Sequence, residues 1–441
     1  MSGEKFFYGR SPPLSIPFKF FASAPPFGLA ACLVLLWAGP DAFASRWTPA
    51  LLAVTHLTTI GFLAMVMIGA LVQVLAVVAG AQLPGGKTTA ALIHAALAAG
   101  AVLMAGGFVA RQPWLLQAGA AALAAGFGAV VAVSFWSLRG ARSAGPVVTA
   151  IRMALAALLV AATLGTVLAV ALARGWTLAF EALTNLHLQW GLIGWVLLLV
   201  AGVATQVVPM FQSTPEYSAR AMRAFYWIAF LALIAVTVLT LFAATPGWSV
   251  AVKTVVAASV AAFAAYTLAL QSKRRRRAPD ATLRFWRTGM WSLLAASAVW
   301  LSAQFRPALG QWQGYDLLLG TLAIFGFAIS VVNGMLCRIA PFLAWLHMQE
   351  AAGGAAVPPT LRKILPDHWC MWQWRVHCAA LVLLLAAVPW PAAFLRAATL
   401  CAAASFLLLW RNLLHTLRVC RAFRTGMTGN SARTSFFRKF G

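Results

Sequence analysis

Acidic residues are nearly missing from this 441-residue chain, where eight aspartates and glutamates stand against 33 lysines and arginines. All eight, from Glu4 and Asp41 through Asp280 and Asp316 to Asp367, fall between apolar runs or at their ends. Proton pumps and proton-coupled carriers generally use titratable carboxylates at mid-membrane, so neither class is expected. Charge of either sign is scarce at 9%, and 62% hydrophobic residues with a mean hydropathy of +0.85 exclude a water-soluble globule. The six cysteines contain no Cys-x-x-Cys pair and fall in apolar or cytoplasmic-side segments, so disulfides and zinc fingers are not expected. Period-two alternation is missing too, which excludes a membrane β-barrel. The basic start leads into an apolar run without a small-residue cleavage pattern, so that run is expected to be retained.

What remains is long apolar runs. Stretches of 18 or more nearly uncharged residues predict twelve helical spans, near 18–38, 49–79, 88–110, 113–137, 148–173, 178–209, 221–243, 247–271, 286–304, 315–342, 372–389 and 393–416. The fold class is therefore an all-α, polytopic membrane protein forming a single integral membrane domain. Placing the basic residues on alternate sides leaves 27 of 33 on one side or at its edge, including the run Lys273 to Arg277 and the tail from Arg418. By the positive-inside rule both termini are cytoplasmic, as in a multi-pass protein of the bacterial inner membrane. The net charge of +25 is thus topogenic, with anionic lipid headgroups as its partner and no nucleic-acid role.

Three lines of sequence superimpose without gaps. Gly61-Phe62 matches Gly194-Trp195 and Gly326-Phe327; Gly69 matches Gly202 and Gly334; Gln73 matches Gln206 and Arg338. The steps are 133 residues (194 minus 61) and 132 residues (326 minus 194), about the length of four membrane helices with loops at ~20 residues per helix. The expected architecture is three four-helix repeats, about 17–140, 141–278 and 279–418, followed by a basic cytoplasmic tail over 419–441. The outer loop joining each repeat's last two helices keeps a Pro and a Trp, at Arg111-Gln-Pro-Trp114, Thr245-Pro-Gly-Trp248 and Val388-Pro-Trp390. Interfacial tryptophan and helix-stopping proline account for them. The six aligned glycines have two readings, close helix packing or room for a flat macrocycle. Gln73, Gln206 and Arg338 form an inner polar layer, for interhelical hydrogen bonding with a snorkelling arginine or for anion coordination.

Histidine is the remaining titratable group inside the spans. His347, His368, His377 and His415 are placed near the cytoplasmic surface, and His94 near the cytoplasmic face of the third span. His56 and His187 lie below the outer surface on the second and sixth spans, His56 at a depth of ~10 Å. A neutral imidazole in an apolar site ligates haem iron or copper, and it also serves as a hydrogen-bonded packing residue. The gapless match sets Gln189 opposite His56, and a two-residue offset turns a side chain by ~200°, so His56 and His187 are not required to face one site.

Twelve helices in three repeats, with histidines in the outer part of the second and sixth, resemble subunit I of the haem-copper oxidases. The His56-x4-Gly61-Phe62 line and the endings Gln206-x2-Pro209 and Arg338-x2-Pro341 are similar to the NnrS family of haem- and copper-containing membrane proteins. The resemblance implies haem binding, with copper as a further cofactor, at His56 and His187. It also implies a part in nitric oxide stress or respiratory redox chemistry, with an electron-transfer partner of unidentified kind. The seventh span, Ala221 to Ala243, lacks the oxidases' histidine pair, and Thr321 stands on the tenth where a histidine would align, so a complete oxygen-reducing centre is not expected. The alternatives are a small-molecule or metal transporter, and a cofactor-free assembly subunit of the same fold.

Overall fold

The computed structural model describes residues 12–78, 80, 82–140, 145–242, 246–275, 280–354 and 356–439. The first eleven residues, Arg276 and Arg277 of the basic run, and Thr245 of one outer turn lie outside the described residues. Within that set the chain is helical, with no strand. The long helices are α1 (Ser15–Ala38), α2 (Pro49–Val77), α3 (Gly86–Ala110), α4 (Pro113–Arg139), α5 (Pro146–Arg174) and α6 (Phe180–Gln212). They continue as α7 (Ala219–Leu241), α8 (Pro246–Ser272), α9 (Ala281–Phe305), α10 (Tyr315–Ala352), α11 (Asp367–Ala387) and α12 (Pro391–Lys439).

Eleven of these are long and apolar enough to cross a membrane. The exception is α9, where a span was expected. It has the length, 25 residues, but Arg284, Arg287 and three serines lower its apolar character. The tail is continuous with α12. Helix starts follow local chemistry. Thr48 and Ser218 accept hydrogen bonds from Leu51 N (3.3 Å) and Ala221 N (3.4 Å), and Pro49, Pro113 and Pro146 occupy first turns where a missing N–H costs nothing. Trp114, Trp248 and Trp390 are exposed at the face opposite the basic one, as interfacial anchors should be.

The helices sort into a core and a hull. In α2, α6 and α10, 78%, 67% and 67% of the most apolar window is buried, against 33–44% in the other eight spans. Around these three the remaining helices touch in the closed order α1, α3, α4, α5, α7, α8, α9, α11, α12 and back to α1. A hull of this kind needs no hydrophobic force between helices, only close packing.

The aligned glycines supply that packing. A Cβ on Gly61 would lie 2.4 Å from Phe27 of α1, one on Gly194 2.6 Å from Ala157 of α5, and one on Gly326 2.6 Å from Ser292 of α9. Gly69, Gly202 and Gly334 meet the same three helices one step deeper, at Phe20, Ala150 and Phe285. The space they leave is filled by helix, which corrects the alternative that it is kept for a macrocycle.

Each core helix is interrupted at the matching place by a π-helical stretch, Leu57–Ala64, Trp190–Leu197 and Thr321–Ile329. Such i→i+5 turns are rare and gather at functional sites. Gly61, Gly194 and Gly326 each lie inside one.

Candidate functional site

The three π-helical stretches wall a cavity of about 1150 Å³. It is large for a ligand pocket, which commonly measures about 300–1,000 Å³. One end of it, the polar mouth, is lined by residues at the first turns of α2, α6 and α10, among them Leu51, Glu181 and Asp316. There Arg46 donates to Asn185 Oδ1 (2.8 Å), forms ion pairs with Asp316 (3.3 Å) and Glu181 (3.8 Å), and lies over the Trp47 ring at 4.7 Å. One cation thus ties together the ends of all three core helices.

His56 and His187 both line this cavity. His56 is the last residue before the first π-helical stretch, and its Nδ1 lies 2.7 Å from the Leu52 carbonyl one turn back. His187 is anchored differently, with Nδ1 2.9 Å from the carbonyl of Ala161 on α5. Gly165, also on α5, makes room for this ring, since a Cβ there would come within 2.8 Å of His187 Cε1. A carbonyl oxygen can only accept, so each Nδ1 carries the proton. Each Nε2 is left with its lone pair and no hydrogen-bond partner among the described residues. The ~200° offset between the two positions is therefore compatible with one shared cavity, because the two rings sit on different helices and reach it from different sides.

The positions matching His56 line the cavity too, as Gln189 on α6 and Thr321 on α10. Buried Gln189 Oε1 and Trp195 Nε1, both on residues of this wall, make no hydrogen bond among the described residues. An acceptor and a donor without partners invite a ligand or water. Lys253 and the threonines Thr55, Thr59 and Thr240 add further polar groups to a mainly apolar lining. Among the described residues no three His, Cys, Asp or Glu side chains gather as a metal-holding group.

The other histidines are accounted for locally, with one correction. His94 bonds Ser23 Oγ through Nε2 (2.8 Å), and His347 lies between the carbonyls of Leu343 (2.9 Å from Nδ1) and Pro12 (3.1 Å from Nε2), either of which can take its N–H. His368 and His415 lie against Trp369. His377 is not near a surface: it is fully buried, bonded to Ser330 Oγ at 2.7 Å and stacked on Phe325 at 4.5 Å. In the inner polar layer Arg338 is engaged by carboxylates rather than open to an anion, because Asp280 Oδ2 sits 2.9 Å and Asp367 Oδ1 3.7 Å from its Nη2.

Sequence reasoning missed the Arg46 tie and the packing of Cys337 and Cys370 into one buried cluster, whose partners lie 33 or more residues away. Compared with known proteins, the chain matches no family model and no curated protein.

Proposed function

We propose that the chain is a non-pumping membrane protein that binds haem in the cavity between α2, α6 and α10, where His56 Nε2 would hold the iron. The observation that carries this reading is the pair of imidazoles, each with Nδ1 engaged by a carbonyl and Nε2 unengaged, on one largely apolar cavity. That donor set fits a haem, for which one or two neutral imidazoles suffice. It fits copper less well, because a third donor is wanting among the described residues. Bound haem would supply one-electron chemistry. The chain's own part is to fix the His56 tautomer through Leu52, hold the ring against Phe108 at 5.1 Å, and place Arg46 and Lys253 where an anionic periphery is stabilised.

In the same proposal the frame is twelve spans in three four-helix repeats, with both termini cytoplasmic. The glycine lines, the three π-helical stretches at 57, 190 and 321, and the three matching glycine contacts with α1, α5 and α9 support it. The role that goes with this frame is in nitric oxide stress or respiratory redox chemistry. A small-molecule carrier is the second reading, favoured by the width of the cavity and its polar mouth.

An absorption spectrum of the purified protein decides between them. A Soret band is expected in the wild type, lost or shifted in His56→Ala and retained in His415→Ala. A stable His56→Ala protein with an unchanged spectrum refutes the assignment of the ligand, and a colourless wild type after haem reconstitution favours the carrier.

A further inference from the structure

Three arginines without a carboxylate stand together on the hull, away from the cavity. Among the described residues every ion pair belongs to Arg46, Arg338 or Arg362. Arg284 and Arg287, near the start of α9, have none, and neither has Arg375 on the adjacent helix α11. Both helices begin at the basic face, and at 1.5 Å per residue the three lie about 5 to 12 Å along their axes. An arginine so placed on a membrane helix ordinarily reaches back to the interface. Arg284 is held instead. Its guanidinium lies 4.8 Å over the Trp374 ring of α11, and Trp374 Nε1 donates in turn to Thr288 Oγ1 of α9 (3.2 Å). The Arg284 Nε is buried with no hydrogen-bond partner among the described residues.

Arg287 and Arg375 flank this crevice on exposed side chains, Arg375 lying 4.9 Å over the exposed Trp372 ring. The second repeat uses an arginine differently at the same place. The matching contacts of Ala157 and Ser292 with Gly194 and Gly326 set α5 and α9 in register 135 residues apart (292 minus 157), which puts Arg152 opposite Arg287 (287 minus 152). Arg152 donates to the Leu138 carbonyl at 3.2 Å, whereas Arg287 makes no hydrogen bond from its side chain among the described residues. Deeper in the apolar layer the exposed faces of the two helices carry Trp291, then Ala295 and Ala298 on α9, with Ala379 and Val382 on α11. The crevice therefore offers cations at the basic end, tryptophan beside them and mostly small apolar side chains beyond. That is the order of chemistry along a phospholipid, from phosphate through interface to acyl chain.

We propose that the crevice between α9 and α11 is a binding site for one anionic phospholipid of the leaflet at the basic face. Its phosphodiester is held by Arg284, Arg287 and Arg375, whose planar forks suit phosphate oxygens, and its acyl chains lie along Ala295 and Ala379. Arg284 is already fixed by Trp374, so little side-chain freedom is lost when the phosphate arrives. The site accounts for the low apolar character of α9, because the arginines that lower it face a charged ligand and not hydrocarbon. It lies outside the cavity and does not depend on what the cavity holds.

Native mass spectrometry of the detergent-purified full chain tests it, read as the dissociation constant of the first adduct with phosphatidylglycerol and with phosphatidylcholine. The wild type should bind phosphatidylglycerol the more tightly. Arg287→Gln with Arg375→Gln, both on exposed side chains, should weaken phosphatidylglycerol about 25-fold, from about fivefold for each arginine near an anionic group, and leave phosphatidylcholine unchanged. Arg220→Gln with Arg223→Gln removes as much charge from exposed positions at the start of α7, on the same face, and should leave both lipids unchanged. Equal binding of the two lipids by the wild type overturns the site, and so does equal weakening by the α7 pair, which would reduce it to general surface charge. Displacement of phosphatidylglycerol by millimolar inorganic phosphate would mark a site for free phosphate and overturn the lipid assignment.

Discussion

Replacing Arg338 by methionine should be among the most damaging single changes in the chain. The Arg338 and Asp280 side chains are only 11% and 5% exposed, and Nη2 lies 2.9 Å from Oδ2. Removing one partner of such a pair strands a buried carboxylate, a loss of about 3–5 kcal/mol. Asp367 gives no relief, because it is a second negative charge on the same guanidinium, at 3.7 Å. A loss of that size lowers the folding equilibrium constant by about two to three and a half powers of ten. The Asp280 carboxylate has a second task, since Oδ1 accepts from Leu283 N (2.9 Å) and caps α9. Asparagine caps a helix about as well as aspartate, so Arg338→Met with Asp280→Asn removes the stranded charge while keeping the cap. The double variant should therefore recover to within about 1 kcal/mol of the wild type, as apolar replacement of buried pairs often does. Reversible unfolding in SDS-containing mixed micelles, followed by circular dichroism, measures both. A harmless Arg338→Met, or a double variant no better than the single, refutes the argument.

Gly202→Val places new carbons where a Cβ already lies 2.5 Å from that of Ala150, and should cost about 1–3 kcal/mol by overpacking. Gly128→Ala, with nothing within 4 Å, should be neutral or gain up to about 1 kcal/mol of helix propensity in the same unfolding assay. Reporter fusions after Arg277 and after Gly441 should both read cytoplasmic, and an external reading at either would mean that the spans are miscounted.

Most helices were legible because apolar runs of membrane length have few other uses. The span predicted at 49–79 is the helix Pro49–Val77, and that at 221–243 is Ala219–Leu241. His377 was misplaced for a simple reason. Its helix begins at Asp367 and not near 372, so the ring lies ten residues in, ~15 Å along the axis instead of at the edge. The π-helical stretches were not legible at all: glycine and branched apolar residues mark close approach, but nothing in a hydrophobic pattern distinguishes an i→i+5 turn inside an already apolar run. The Cys337–Cys370 contact and the Arg46 tie escaped for the opposite reason. Each joins segments separated by loops whose lengths carry no information about which helix faces return together.

Of the candidate site, the sequence supplied the residues and the structure their relation. Three matching positions, His56, Gln189 and Thr321, meet one cavity, yet only the first is an imidazole. His187 stands two residues ahead of the matching place and would be turned away if α6 alone decided its direction. It reaches the cavity because α5 presents the Ala161 carbonyl to its Nδ1 and leaves the space over Gly165 open to its ring. Near-equivalent scaffolding therefore supplies the walls, and departures from equivalence supply the chemistry. The same holds on the opposite side of the core. Gln73 and Gln206 match Arg338 in sequence, but Arg338 has an aspartate, Asp280, at the start of its neighbouring helix and pairs with it at 2.9 Å. If the cavity binds haem as proposed, single substitutions at His56, Gln189, His187 or Thr321 would change what it holds while the glycine contacts that hold the three core helices in place are left untouched.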